Sequence, residues 1–301
     1  MHIAIQCCMV ALLALTGAVT AVHAEVVVTD DAGRIVRLRE PAKRIVSLAP
    51  HATELLFAAG AGARVVGVSA FSDYPQAARN LPLLSGGVRM DIERILALRP
   101  NLAVGWQSGN ARADLEKLAA FGIPVFFAEP QRLDAVPDTL IRLGRLAGSD
   151  VAAQATAARY RKELSRLRVS YRDRRPVRVF FEIAMQPLMT LSQAHLASDV
   201  LALCGGRNVF AGSDLLAPEV SAEAVLLQDP DVILFSDELG TVEDVRDWWR
   251  ERVALRAVRA KRVYSIPGEL VLRQTPRVLQ GAQHTCAALD TARASLDAER
   301  K

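Results

Sequence analysis

Charge is missing from the start of this chain. Its first 24 residues contain no Asp, Glu, Lys or Arg, and the apolar run within them, MVALLALTGAVTAV, is too short for a comfortable bilayer crossing. The run closes on VHA before Glu25, a small-residue cleavage pattern, so the segment reads as a secretory signal cut after Ala24. Because MHIAIQ lacks a basic residue, an uncleaved anchor stands as the alternative. No cysteine closes the run, which argues against a lipid anchor. No later segment is apolar for long enough to span a membrane. Cysteine is scarce as well. Of four, Cys7 and Cys8 leave with the signal, and Cys204 and Cys286 remain, too few for a cysteine zinc site. In an oxidising compartment the pair either bonds, closing a loop worth about 4–5 kcal/mol, or stays as two buried thiols. Past the signal only His51, His195 and His284 remain, with no paired-histidine motif, so no metal site is expected. There is no GxGxxG after a strand, no GxSxG elbow and no nucleophile–base pair to nominate, so neither catalysis nor a catalytic cofactor is expected. Net charge is only +4 with both signs interspersed, which argues against a nucleic-acid partner.

What is present is a globular composition, 51% hydrophobic and 23% charged over 301 residues, enough for one large domain or two ordinary ones. After EVVVTD and a turn at DAG, strand-like runs (RIVSLAP, RVVGVSA, NLAVGW, IPVFFAE) alternate with helix-like ones (HATELLFAAG, DIERILALRP, RADLEKLAAFG, AVPDTLIRLGRLAG). Near-continuous apolar strands between helices predict a mainly parallel sheet covered on both faces. Between Ser149 and Asp173 there is neither Pro nor Gly, and Tyr160, Leu164, Leu167 and Tyr171 share one helical face. The spacing predicts one helix of about 25 residues, about 37 Å long. A second series follows: VRVFFEI, ASDVLALCGG, AEAVLLQDP, DVILFS, a single helix over VEDVRDWWRERVALRAVRA, RVYSIPG, and a final helix over PRVLQGAQHTCAALDTARASL. The expected fold class is α/β: two Rossmann-like lobes with mainly parallel sheets, joined by one long rigid helix. The expected divisions are a signal at 1–24, an N-terminal lobe at 25–148, a connecting helix at 149–175 and a C-terminal lobe at 176–301. A stiff connector favours a cleft of nearly fixed width.

Two stretches echo each other. ERILALRPNLAVGW, from Glu93, and EAVLLQDPDVILFS, from Glu223, each read glutamate, six residues, proline, Asn or Asp, then an apolar strand. Asp91 and Ser221 suit N-caps two positions earlier, so each glutamate falls in a first helical turn, where the helix dipole favours it. That alone accounts for either one. Their repetition adds a second role: matched anionic points, one per lobe, suited to matched cationic points on a symmetric partner. A receptor docking on a dimeric membrane channel has that form.

With these residues, and with RIVSLAPHATELLFAAG, VVGVSAFSDYP, VLALCGGRNVF and RQTPR, the chain resembles the periplasmic vitamin B12-binding proteins of bacterial corrinoid ABC importers, in the helical-backbone class of substrate-binding proteins. The resemblance runs from about Arg44 to about Leu289, and FSDYP followed by GWQSGN points to the corrinoid branch. It implies an exported, periplasmic, monomeric receptor that carries a corrinoid, cobalamin foremost, between its lobes. Delivery would be to a dimeric ABC permease in the inner membrane, without chemistry on the ligand. By the same resemblance, Glu93 and Glu223 dock onto arginines of the two permease subunits. Phe71 lines the cleft, Trp106 falls in its aromatic wall, Arg273 faces the ligand with Glu269 as acidic partner, and Cys204 bonds Cys286. The chain also departs from the pattern: Gly87 and Ala217 stand where the family has tryptophans, and Met189 where it has a phenylalanine.

The residue types suit such a ligand. A corrin is a wide, rather flat ring fringed with amides and methyl groups, and needs apolar walls with a few polar contacts at the edge. Phe71, Tyr74, Trp106 and Met189 supply wall area at little rotamer cost. Each equally suits core packing, and Tyr74, before Pro75, suits a loop anchor. The planar fork of Arg273 binds amide carbonyls or a phosphate, or pairs with Glu269 four residues earlier. Rival ligands in the same fold are haem, with Arg273 on a carboxylate, and a ferric siderophore, with Tyr74 on iron.

Overall fold

Runs that are apolar at every position become strands buried along their whole length. In the computed structural model, which describes residues 25–84 and 89–300, β5 (Leu102–Gly105) and β11 (Val232–Ser236) are buried at every residue. The signal segment and Gly87 lie outside the described residues. In the first lobe β3 (Ile45–Ser47), β4 (Val65–Val68), β5 and β6 (Val125–Phe127) form a parallel sheet in the order β4-β3-β5-β6. The helices α1 (Pro50–Ala58), α2 (Ile92–Ala97), α3 (Arg112–Ala120) and α4 (Ala135–Ala147) alternate with them. In the second lobe β7 (Val177–Glu182), β10 (Gly206–Asn208), β11 and β12 (Val263–Ile266) form a parallel sheet in the order β10-β7-β11-β12. Its helices are α6 (Leu196–Leu203), α7 (Ala222–Gln228), α8 (Val242–Arg250), α9 (Arg256–Arg259), α10 (Gly268–Leu272) and α11 (Val278–Ala298).

Between the lobes runs α5 (Asp150–Tyr171), 22 residues, about 33 Å at the usual helical rise. It is slightly shorter than the spacing predicts. Its buried face carries Ala153, Ala157, Tyr160, Leu164 and Leu167, while Tyr171 is only half-buried. The helix is not the sole connection. Leu196, Val200, Val278, Leu279 and Ala282, all from the second lobe, share one apolar cluster with Leu133, Val136 and Leu140 of the first. The lobes are therefore fused at their base by side-chain packing as well as by a rod.

Three local features differ from the sequence reading. The stretch 242–260 forms two helices rather than one. Leu255 is extended and fully buried beside Trp249, so burial outweighs helix propensity there. Past the DAG turn, β2 (Ile35–Leu38) pairs antiparallel with β1 (Val26–Thr29), a hairpin with alternating burial. A second small hairpin, β8 (Ala184–Met185) with β9 (Leu188–Met189), follows β7. Cys204 and Cys286 are joined by a disulfide within the second lobe, tying the end of α6 to α11.

Candidate functional site

In open α/β sheets, ligand-facing residues collect beyond the carboxyl ends of the strands. The first lobe follows this rule. The loop after β4 carries Phe71 and Tyr74, and the loop after β5 begins at Trp106. Phe71 is 79% exposed and sits in the left-handed region, with φ 62°. An exposed aromatic on a backbone conformation unfavourable for its type points to a use for the exposure. Its loop is pinned from behind: the Thr53 hydroxyl bonds Ser72 at 2.9 Å and Ser47 at 2.8 Å, and Ser69 and Ser72 pair at 3.2 Å. The Trp106 indole N–H donates to Glu129 Oε1 at 3.0 Å, and its backbone N–H donates to Asn110 Oδ1 at 2.7 Å. Gly109 lies against the indole so closely that a Cβ there would fall 2.1 Å from the ring, so only glycine fits.

Two cavities meet at Pro50 and Trp106. One, about 230 Å³, is lined on the first lobe by Phe71, Leu84, Met90 and Asn110 as well. The other, about 210 Å³, crosses to the second lobe, where Glu238, Glu269, Leu272 and Arg273 line it. Trp106 thus stands between two mainly apolar recesses, the second of which carries Glu238, Glu269 and Arg273 at its edge. Met189 borders neither cavity; it lies on β9 in a single bridge to Glu219. Ala217 packs partly buried against the second lobe's core.

The polar edge is an ionic cluster that spans the lobes. Arg273 Nη1 bonds Asp73 Oδ1 at 2.8 Å and Glu54 Oε1 at 3.0 Å. Arg277 bonds both oxygens of Glu54, at 2.8 Å each, lies 3.5 Å from Glu269, and stacks 3.9 Å above the Tyr74 ring. The expected pairing of Arg273 with Glu269 is therefore replaced. Glu269 pairs with Arg277, because Arg273 reaches across to carboxylates of the first lobe. Partial burial pushes the Asp73 carboxyl up, but the hydrogen bond and charge of Arg273 outweigh it and hold it below the usual range. Burial lowers the Arg273 guanidinium, and its two carboxylate partners more than reverse that. Three carboxylates thus occupy two guanidiniums.

The echoed glutamates occupy matching places. Asp91 caps α2 by accepting from the Arg94 N–H at 2.9 Å, and Ser221 caps α7 by accepting from the Ala224 N–H at 3.1 Å. Glu93 and Glu223 are both exposed in the first turns that follow. The repeat extends to the backbone: Arg99 and Asp229, each directly before its proline, both adopt positive φ, 46° and 39°. Hydrogen bonds from its own backbone and from Ser221 hold the Glu223 carboxyl below the usual range. Two of the histidines are buried. His51 Nε2 lies 2.7 Å from the Ala128 carbonyl oxygen, and burial lowers its ring. His195 Nδ1 accepts from the Ala197 N–H at 3.0 Å, and burial, with His51 nearby, pushes it down to about 4. Among the described residues no three His, Cys, Asp or Glu side chains group as a metal site, and no helix is long and apolar enough to cross a membrane.

Residues 45–270 match the family described as periplasmic binding protein. The chain belongs to that family. The vitamin B12-binding protein of Vibrio cholerae serotype O1 is 36% identical over 252 residues, 84% of this chain and 91% of that protein. The crystal structure of the Vibrio cholerae periplasmic vitamin B12 binding protein matches with a TM-score of 0.77, covering 84% of this chain and 98% of that one. The periplasmic heme-binding protein RhuT from Roseiflexus sp. RS-1 matches at 27% identity with a TM-score of 0.73, covering 83% and 99%.

In this periplasmic binding protein, sequence reasoning missed Glu54, Asp73, Arg277 and Glu129. Glu54 is 3% exposed inside the apolar run HATELLFAAG, and a carboxylate in such a run was the available signal. Arg277 lay within the quoted RQTPR, four residues past Arg273.

Proposed function

We propose that this periplasmic binding protein captures a corrinoid, cobalamin foremost, between lobes at 25–148 and 176–301 and passes it to a dimeric ABC permease. It acts as an exported periplasmic monomer, freed of its 1–24 signal, and does no chemistry on the ligand. The observation that carries this reading is the meeting at Trp106 of two mainly apolar recesses, one of them edged by Glu238, Glu269 and Arg273. A flat ring with an amide fringe needs that combination. Phe71, Tyr74 and Trp106 serve as wall; Arg273 and Glu269 serve as edge; Glu93 and Glu223 serve as docking points; Met189, which borders neither cavity, has no place in that wall. The vitamin B12-binding relatives, at 36% identity, support the ligand class.

Haem is the second reading, favoured by the likeness to a heme-binding protein. The charge balance weighs against it, since haem brings two carboxylates to a cluster in which Glu54, Asp73 and Glu269 already occupy Arg273 and Arg277. Titration calorimetry with cyanocobalamin, hemin and a ferric siderophore tests the reading. Cyanocobalamin should bind about 100-fold tighter than either rival; tighter binding of hemin overturns it. Docking is tested separately by reversing both charges, Glu93→Lys with Glu223→Lys. Ligand affinity should stay within about twofold while uptake into vesicles holding the cognate permease falls about tenfold. Loss of ligand binding with an intact permease complex would contradict the assignment.

A further inference from the structure

We infer that Asp73 makes the cleft selective for corrinoids whose rim carboxyls are amidated, against those that keep them free. The inference rests on the corrinoid reading above and goes further, to the chemical state of the ligand's fringe.

The argument starts from how charge is shared. Glu54 is nearly inaccessible, its side chain 2% exposed, and it serves both guanidiniums at once, Arg277 through two bonds of 2.8 Å and Arg273 through one of 3.0 Å. Its charge is consumed inside the protein. Asp73 is the counter-ion that belongs to Arg273 within this cluster, at 2.8 Å, and it is accessible, with a side chain 46% exposed. Arg273 Nη2 also faces the Phe71 carbonyl oxygen at 3.4 Å, which brings the arginine under the exposed aromatic. Glu238 and Glu269 line the cleft beside Arg273, and Asp73 borders that edge through its contact with Arg273. Counting these neighbours, the carboxylates Glu54, Asp73, Glu238 and Glu269 face the guanidiniums Arg273 and Arg277, with Arg79 acting on Asp73 from its own loop, so four negative charges meet three positive ones.

A ligand carboxylate arriving there finds the charge of both arginines already balanced and meets like charge. Half-buried charges act on one another more strongly than they would in water. A primary amide meets the opposite situation. Its N–H groups donate to the exposed oxygens of Asp73 and Glu269, and its carbonyl accepts from the edge of Arg273. The edge is therefore built to read a neutral, two-way hydrogen-bonding fringe. Asp73 is the member of the cluster that can be changed without opening the buried pair between the lobes.

The test compares two ligands with the same ring and different fringes: dicyanocobinamide, which is amidated, and dicyanocobyrinic acid, which carries free carboxylates. The wild type should bind the amidated form about 30-fold tighter. Asp73→Asn should cut that preference about fivefold, mainly by strengthening binding of the acid. Asp73→Glu, which keeps the charge, should retain it. Raising the salt from about 0.05 M to about 0.5 M should narrow the wild-type preference, because screening weakens the repulsion. A merely structural role for Asp73 would leave both the salt response and the ligand ratio unmoved, and a thermal melt of each variant checks that the fold is intact. The inference is overturned if the wild type binds both forms alike, if Asp73→Asn keeps the full preference, or if salt does not alter it. A wild type that binds neither form overturns the corrinoid reading as well, so the two failures are distinct.

Discussion

Each lobe holds a buried glutamate that takes an indole N–H: Glu129 from Trp106 at 3.0 Å in the first, and Glu182 from Trp249 at 2.9 Å in the second. Their surroundings differ. Glu129 also accepts the Ser108 backbone N–H at 3.1 Å and the Ser108 hydroxyl, so three donors answer its charge. Glu182 has one oxygen with no partner among the described residues, and burial pushes its carboxyl up to about 7. The first carboxylate holds a half-exposed tryptophan at the cleft; the second is sealed under a fully buried one. The same division runs through the whole molecule. The helix–proline–strand units around Glu93 and Glu223 agree down to the positive φ before each proline. The cleft faces do not agree: the first lobe brings Phe71 and Trp106, the second Glu238, Glu269 and Arg273. Under the proposed function, repetition is kept where a symmetric permease would use it and is absent where an asymmetric ligand would have no use for it.

The largest way to break the comparison is the disulfide, which staples the second lobe across a separation of 82 residues. Replacing Cys204 and Cys286 by alanine should lower stability by about 4–5 kcal/mol in the chain-entropy view, read from urea unfolding. Faster amide exchange should concentrate in β7, β10, β11 and β12; an equal rise across β3–β6 would show that the shared base makes the lobes one unit. Next comes Glu54→Gln, which removes the carboxylate common to Arg273 and Arg277. Leaving largely buried guanidiniums short of a counter-ion should lower stability by about 3 kcal/mol. The loss should appear as a split thermal transition, because the lobes lose their ionic tie, and a single sharp melt at the wild-type temperature would refute this.

A smaller effect sharpens the contrast between the buried glutamates. Below about pH 4.5 the Glu182 carboxyl is protonated both folded and unfolded. Between that value and about 7 the unfolded chain gives up its proton while the folded one keeps it. The unfolded state then binds fewer protons, so stability falls as pH rises through this window, by about 3 kcal/mol in all. Glu182→Gln should flatten that slope while still accepting from Trp249. A slope unchanged in the variant, measured by urea unfolding across the window, would remove Glu182 as its source.

The strands were legible because parallel strands buried on both faces are written as continuous apolar runs; VILFS at 232–236 is one such run, and every residue of it is buried. The echoed glutamates were legible because capping residue, carboxylate and proline recur at fixed local spacing. The ionic edge was not. Arg273 stands 219 residues from Glu54 and 200 from Asp73, and no local pattern reports a pairing made across two lobes. Glu269, at a helical spacing of four, looked the better partner for Arg273 and was not, since side chains at the mouth of a cleft answer to the facing wall. The break before Leu255 was hidden for a similar reason: what opposes the helix there is a core formed by β11, β12 and Trp249, not anything in the neighbouring residues.

The greasy seam at the base of the lobes has a mechanical consequence. A hinged clamp opens by bending a thin strap, but here parting the halves would drag Leu196, Val200, Val278 and Leu279 away from Leu133 and Val136 and into water, at about 25 cal/mol for every Å² uncovered. An empty molecule in solution should therefore keep the silhouette of a loaded one. If the proposed docking holds, letting go of the cargo would ask for work from outside, applied by a body that grips both halves at once and prises.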